Sequence, residues 1–196
     1  LSRELAEPEH QRARECGGSV FAEMDKLAAK IPAGSEGVLF LPYMAGERSP
    51  IWNPYAKGVF YGLDFTKTRA HFYRAAMEGV AYSLRHNLEI AAQAGAPVTQ
   101  LHAMGGAANS KLWTQIKSDV TGLPIRSAKS DMATTLGAAM LAGVATGVYK
   151  DYAQAVQQTV NMERSYVPNE ENSSVYERGF CDYLKLYSQL ETLMHG

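Results

Sequence analysis

From Gly58 to Val160 short apolar runs alternate with stretches of helical spacing, and glycines mark the changes. That alternation constrains the fold more than any other feature, because strands reached through helices form a layered α/β structure. GVFYGLD (Gly58 to Asp64) reads as a strand. Thr68 can cap a long helix whose apolar residues fall in steps of four at Phe72, Ala76, Val80, Leu84 and Leu88, and Gly95 with Pro97 beyond it is a stop signal. VTQLHAMGG is the next strand and SKLWTQIKSDVTG the next helix, with Trp113, Ile116 and Val120 as its buried face and Gly122 at its end. LPIRSA reads as a strand. TTLGAAMLAGVATG reads as a helix built of small residues, where Gly137, Ala138, Ala142 and Gly143 allow a neighbour to approach closely. Asp151 can cap one more helix, ending near Val160.

On the N-terminal side, SVFAEMDKLAAKI (Ser19 to Ile31) has helical spacing at Phe21, Met24, Leu27, Ala28 and Ile31. PAGSEG breaks it, and GVLFLPY (Gly37 to Tyr43) is a continuous apolar run of the kind found in buried strands. The loop MAGERSPIWNPYAKG separates that run from Gly58. On the C-terminal side, SYVPNEENSS reads as a polar loop. VYERGFCDYLKLYSQLETLM reads as an amphipathic helix with Tyr176, Phe180, Tyr183, Tyr187, Leu190 and Met194 on one stripe. That stripe can pack back on its own domain or form a homodimer face; the first is the expectation.

With 196 residues, 46% hydrophobic and 20% charged, one globular domain is expected. A net charge of -1 gives no reason to expect nucleic acid or an anionic membrane as partner. No apolar run reaches the roughly 18–20 residues that span a bilayer, and the charged start has no signal-peptide core. Cys16 and Cys181 match no metal spacing and read as reduced, cytoplasmic thiols. His10, His71, His86, His102 and His195 form no metal-spaced pair.

GGAANSKLW (Gly105 to Trp113) closes a strand and opens a helix. The first N–H groups of a helix lack intrahelical partners, and with the helix dipole they carry about half a positive charge. Glycines let an anion reach those groups. Ser110 can cap the helix or lend its hydroxyl to a ligand. The motif is neither a Walker A loop nor a GxGxxG fingerprint. From the residues alone, a phosphate cradle and a plain tight turn both stay open.

Three ordered stretches carry a resemblance. LPYMAGERSPIWNPYAKGVFYGL is similar to the loop-and-strand signature of xylulokinase-like and gluconokinase-like proteins in the FGGY family of carbohydrate kinases. GVFYGLDFTKTRAHFYRAAME is similar to that family's second signature, at Gly58, Phe60, Gly62, Leu63, His71, Phe72, Ala75, Ala76, Met77 and Glu78. MGGAANSKLWTQIKSDVTGLPI resembles its adenosine-phosphate motif, and TLGAAMLAGVATG the helix that follows. The resemblance implies an α/β domain of the actin-like, ribonuclease-H-like ATPase fold, present here as an incomplete C-terminal portion. Residues 1–36 would then be a polar lead-in and helix from the preceding half of the domain, and residues 37–196 the nucleotide-binding part. It implies ATP with Mg2+ as cofactors, and a ketose such as xylulose, a polyol or a sugar acid as the small-molecule substrate. Gly105, Gly106 and Ala107 would approach the nucleotide phosphates, with Ser110 and Asn109 beside them.

The resembling family takes its general base from an aspartate in a Gly-Asp motif near the start of its second domain, and its sugar contacts largely from the first. No Gly-Asp occurs upstream of Val38, where Asp25 is the one aspartate and sits inside a helical pattern. No catalytic residue is therefore expected in this chain, and the remainder of the kinase is its expected partner. GVLFLPY and LHAMGG, read as central strands, would otherwise expose an apolar edge. Two alternatives remain: a non-catalytic nucleotide-binding regulator, and an interaction domain in which the glycine turn is only a turn. Elsewhere, Glu47 and Arg48 are expected to form an ion pair fixing their loop, Trp52 to pack, Glu78 to be structural, and Asp119 to be exposed or tied to a loop.

Overall fold

The computed structural model describes residues 5–128, 133–160 and 162–194. Helices α1 (Glu7–Cys16) and α2 (Val20–Ala28) lead to strands β1 (Leu39–Leu41) and β2 (Val59–Tyr61), then the long helix α3 (Arg69–Gln93). Strand β3 (Leu101–Ala103), helix α4 (Lys111–Thr121) and strand β4 (Ile125–Ala128) follow. Helices α5 (Ala133–Ala145) and α6 (Tyr152–Thr159), strand β5 (Met162–Tyr166) and helix α7 (Ser173–Leu190) complete the order.

The strands form two small sheets. β1 and β2 are antiparallel, Phe40 opposite Phe60 with their rings stacked at 4.3 Å. β3 and β4 run parallel through the α4 crossover, and β5 adds antiparallel to the far side of β4. β5 is a strand where the polar run from Ser165 suggested a loop. Its pairing comes from backbone hydrogen bonds to β4, which a polar edge strand makes as readily as an apolar one, and Tyr166 supplies a buried anchor. β1 ends before Pro42, which has no N–H to donate. β3, read as a strand that would expose an edge without the remainder of the protein, pairs on one edge only among the described residues, with His102 exposed.

The core lies where α3, α4 and α7 meet β1. It holds Leu41, Tyr43, Met77, Tyr82, Ile116, Val120, Tyr176, Phe180 and Tyr183. The aromatic stripe of α7 is thus consumed by its own domain. On α3, Phe72, Ala76, Val80, Leu84 and Leu88 are only half-buried, while His71, Arg74 and Glu78 are buried. A helix packed on several sides has no single apolar stripe, so the period of four singled out the wrong face. Gly79 explains how closely α3 seats on β1: a Cβ there would lie 2.2 Å from the Phe40 carbonyl oxygen.

The loop from Met44 to Lys57 is fastened from two sides. Asn53 donates to the Tyr187 hydroxyl at 3.0 Å, and Asn87 of α3 donates to the Ser49 carbonyl at 3.0 Å. The Glu47 carboxylate accepts from the N–H groups of Arg48 and Ser49, at 2.7 and 3.2 Å. This backbone capping fixes the turn, in place of the expected Glu47–Arg48 ion pair, which does not occur among the described residues. Trp52, expected to pack, is 81% exposed. In α5 the small residues meet little: Gly143 lies against the Tyr149 ring, but Gly137 faces open space. No described helix is long and apolar enough to cross a membrane.

Candidate functional site

β3 delivers the chain to Gly105, whose φ of 79° turns it into a short 3-10 segment, Gly106–Asn109. That conformation favours glycine. The Gly105 carbonyl accepts from the Ala108 N–H at 2.9 Å, and in such a turn the N–H groups of Gly106 and Ala107 have no acceptor within it. Neither Gly105 nor Gly106 has an atom within 4 Å of where a Cβ would be, so both approaches are open. Ser110 then caps α4, its hydroxyl oxygen accepting from the Trp113 N–H at 3.0 Å and its carbonyl from the Thr114 hydroxyl at 2.9 Å. Gly106, Ala107 and Asn109 are exposed; Gly105 and Ser110 are half-buried. The five residues expected at the site therefore lie in one turn.

Beside the turn lies a cavity of about 740 Å3. Gly106, Ala107, Asn109 and Ser110 form one side. Phe21 and Met24 from α2, Phe40 from β1, Met77 and Val80 from α3, and Trp113 from α4 supply an apolar lining. The Trp113 indole is fixed by donating to the Met77 carbonyl at 3.1 Å, and the Lys117 ammonium sits 4.1 Å above its ring. Phe21 was expected among the packing residues of its helix; it is 63% exposed and lines this cavity instead.

Asp25 is the cavity residue that sequence reasoning passed over. It is half-buried in the apolar lining, which Ser110 shares. Burial pushes its carboxyl above the usual aspartate range, against the opposing pull of Ser110. A signal was available: Asp25 stands four residues after Phe21, on the same helix face.

Glu78 has a different role. Its carboxylate is 2% exposed and takes hydrogen bonds from the Arg74 guanidinium at 2.7 Å, the Ser35 hydroxyl at 2.7 Å, the Gly34 N–H at 3.0 Å and the Tyr176 hydroxyl at 3.1 Å. It is structural, as expected. Asp119 is tied to the loop before α7, accepting from the Asn169 N–H and the Asn172 side chain, both at 2.9 Å. Among the described residues no three His, Cys, Asp or Glu side chains converge in a manner that could hold a metal ion.

The sequence matches the C-terminal domain of the FGGY family of carbohydrate kinases over residues 2–146. It is 34% identical to a xylulose kinase from Staphylococcus epidermidis over 88% of this chain and 35% of the relative. It is also 34% identical to a gluconokinase from Bacillus subtilis over 96% of this chain and 37% of the relative. The crystal structure of xylulose kinase from Rhodospirillum rubrum superposes with a TM-score of 0.82 at 31% identity, covering 98% of this chain and 37% of that one. The chain therefore spans little more than a third of the length of these relatives.

Proposed function

The chain belongs to the FGGY family of carbohydrate kinases, and on that premise we propose that the complete protein transfers a phosphoryl group from ATP to a sugar hydroxyl, with this chain supplying the nucleotide side. The observation that carries the reading is the open Gly105–Ser110 turn beside the apolar cavity. A triphosphate needs backbone donors and close approach, which Gly105, Gly106 and Ala107 offer; Asn109 and Ser110 stand beside them. A nucleoside needs an apolar pocket of a few hundred Å3, and the adjoining cavity has that size.

Phosphoryl transfer depends chiefly on positioning and on neutralising charge at the transferred group. The turn holds the phosphates in place while the sugar hydroxyl attacks the γ-phosphorus in line, the bond to the β-phosphate oxygen breaks and ADP leaves. Mg2+, when bound with ATP, would neutralise charge on the phosphates; among the described residues no cluster of His, Cys, Asp and Glu side chains could hold it. The base that takes the hydroxyl proton and most sugar contacts come from the remainder of the protein. Removing a general base typically lowers rate by about 10²–10⁴, so this chain alone is expected to bind nucleotide without turnover. The acceptor is a ketose such as xylulose, a related polyol or a sugar acid, a range in keeping with relatives named xylulose kinase and gluconokinase. Exposed, free Cys16 and Cys181 fit a cytoplasmic protein.

Gly106→Asp in the full-length protein tests the site. The position has open space and an ordinary backbone conformation, so the variant is expected to fold. A carboxylate aimed at the phosphates should weaken ATP binding by at least about tenfold and leave sugar binding intact, measured by calorimetry. Unchanged ATP affinity in the folded variant would refute the assignment.

A further inference from the structure

We propose that Asp25 recognises the nucleoside: its carboxylate accepts a hydrogen bond from a donor on the nucleotide, either the exocyclic amino group of the base or a ribose hydroxyl. The inference rests on the nucleotide reading of the glycine turn and deepens it.

Three observations carry it. Asp25 reaches the cavity from α2, a different element from the one that carries the turn, and among the described residues it is the one charged side chain in the lining. Holding ionised oxygen in an apolar wall is unfavourable unless donors satisfy it. A carboxylate has about four acceptor positions. Ser110 shares the lining with it, and its hydroxyl oxygen accepts from the Trp113 N–H. The α4 cap is complete with that serine alone, and a neutral asparagine could hold Ser110 without burying a charge. Capping therefore does not account for an aspartate.

Electrostatics fixes the orientation of the ligand. Phosphates and Asp25 repel each other, so the phosphates lie at the Gly105–Ala107 end and the nucleoside extends toward α2. An ionised carboxylate only accepts, so the group it meets must be an N–H or O–H donor. Phe21, on the same face of α2, offers an aromatic surface beside it.

The test uses the full-length protein and compares wild type, Asp25→Ala and the isosteric Asp25→Asn. Binding constants are measured for ATP, for purine riboside triphosphate (no exocyclic amino group), and for 2′-deoxy- and 3′-deoxy-ATP. Wild type should prefer ATP to at least one analogue by about tenfold or more, the range of a hydrogen bond to a charged group. In Asp25→Ala that ratio should fall to about one, and Asp25→Asn should reduce it. The analogue affected identifies the donor: amino or hydroxyl. A merely structural aspartate would weaken all four ligands together and keep the ratios. Ratios unchanged in both variants, or absent in wild type, overturn the inference. Gly106→Asp is run alongside. If it abolishes ATP binding while the Asp25 variants keep their ratios, only the role of Asp25 fails. If it leaves ATP binding unchanged, the site reading fails and this inference with it.

Discussion

Four donors converge on the Glu78 carboxylate, and two of them come from the turn that precedes β1. Ser35 and Glu36 in that turn have φ of 50° and 49°, a region that non-glycine residues rarely occupy. Glu78 thus ties a strained turn to the middle of α3. Its buried partner Arg74 also donates to the Tyr176 hydroxyl at 2.7 Å, which extends the network to α7. Glu78→Gln leaves Arg74 without its counter-charge, and breaking a buried pair in this way costs about 3–5 kcal/mol. Equilibrium denaturation should show a loss of that order. Asp25 is expected to behave in the opposite sense. Its folded carboxyl is raised above its ordinary value of 3.8, so its ionisation lowers stability as pH rises through the window above that value. Asp25→Asn should therefore melt at a higher temperature than wild type in nucleotide-free protein at neutral pH. That advantage should vanish below about pH 4. A melting temperature difference independent of pH would show that the charge is not the cause.

At the scale of elements, close contact between helix and strand is set by a few small residues. Gly79 brings α3 against the β1 backbone, and Gly79→Ala forces a methyl onto the Phe40 carbonyl. Alanine gains about 1 kcal/mol of helix propensity, and overpacking costs about 1–3 kcal/mol. The net result should be a destabilised protein in thermal melts, whereas Gly106→Ala should change the melt little. Most elements were legible because their caps and breakers are local: Ser19, Thr68, Ser110 and Asp151 each open a helix, and Gly122 ends one. β5 was not legible, because edge pairing of Met162–Tyr166 depends on β4 and leaves no apolar alternation. The buried face of α3 was not legible either, since His71, Arg74 and Glu78 are buried through partners distant in sequence. Within the site, the glycine turn could be read from spacing, but its apolar neighbour could not. That cavity is assembled from α2, β1, α3 and α4, whose meeting is a tertiary fact. Asp25 shares a helix face with Phe21, a local signal, but that this face lines the cavity beside Ser110 is again a tertiary fact.

At the scale of the whole molecule, two sheets flank a core made by α3, α4 and α7, and the β3 edge, with Gly105 following it, is unpaired among the described residues. Leu141, Val148, Tyr152 and Val156 on and around α5 and α6 are exposed as well, at 47–71%. Unpaired strand edges and apolar surfaces of this kind favour association. Residues 1–196 expressed alone should therefore self-associate, seen as a concentration-dependent mass in light scattering, and a strictly monomeric species would speak against it. The central claim is that nucleotide phosphates meet the Gly105–Ser110 turn. It is tested most directly by hydrogen–deuterium exchange on the full-length protein, read on peptides covering Gly105 to Trp113, with and without ATP. The account predicts slower exchange there when ATP binds and no change with sugar alone. Saturating ATP that protects other segments while leaving this one unaltered would contradict it.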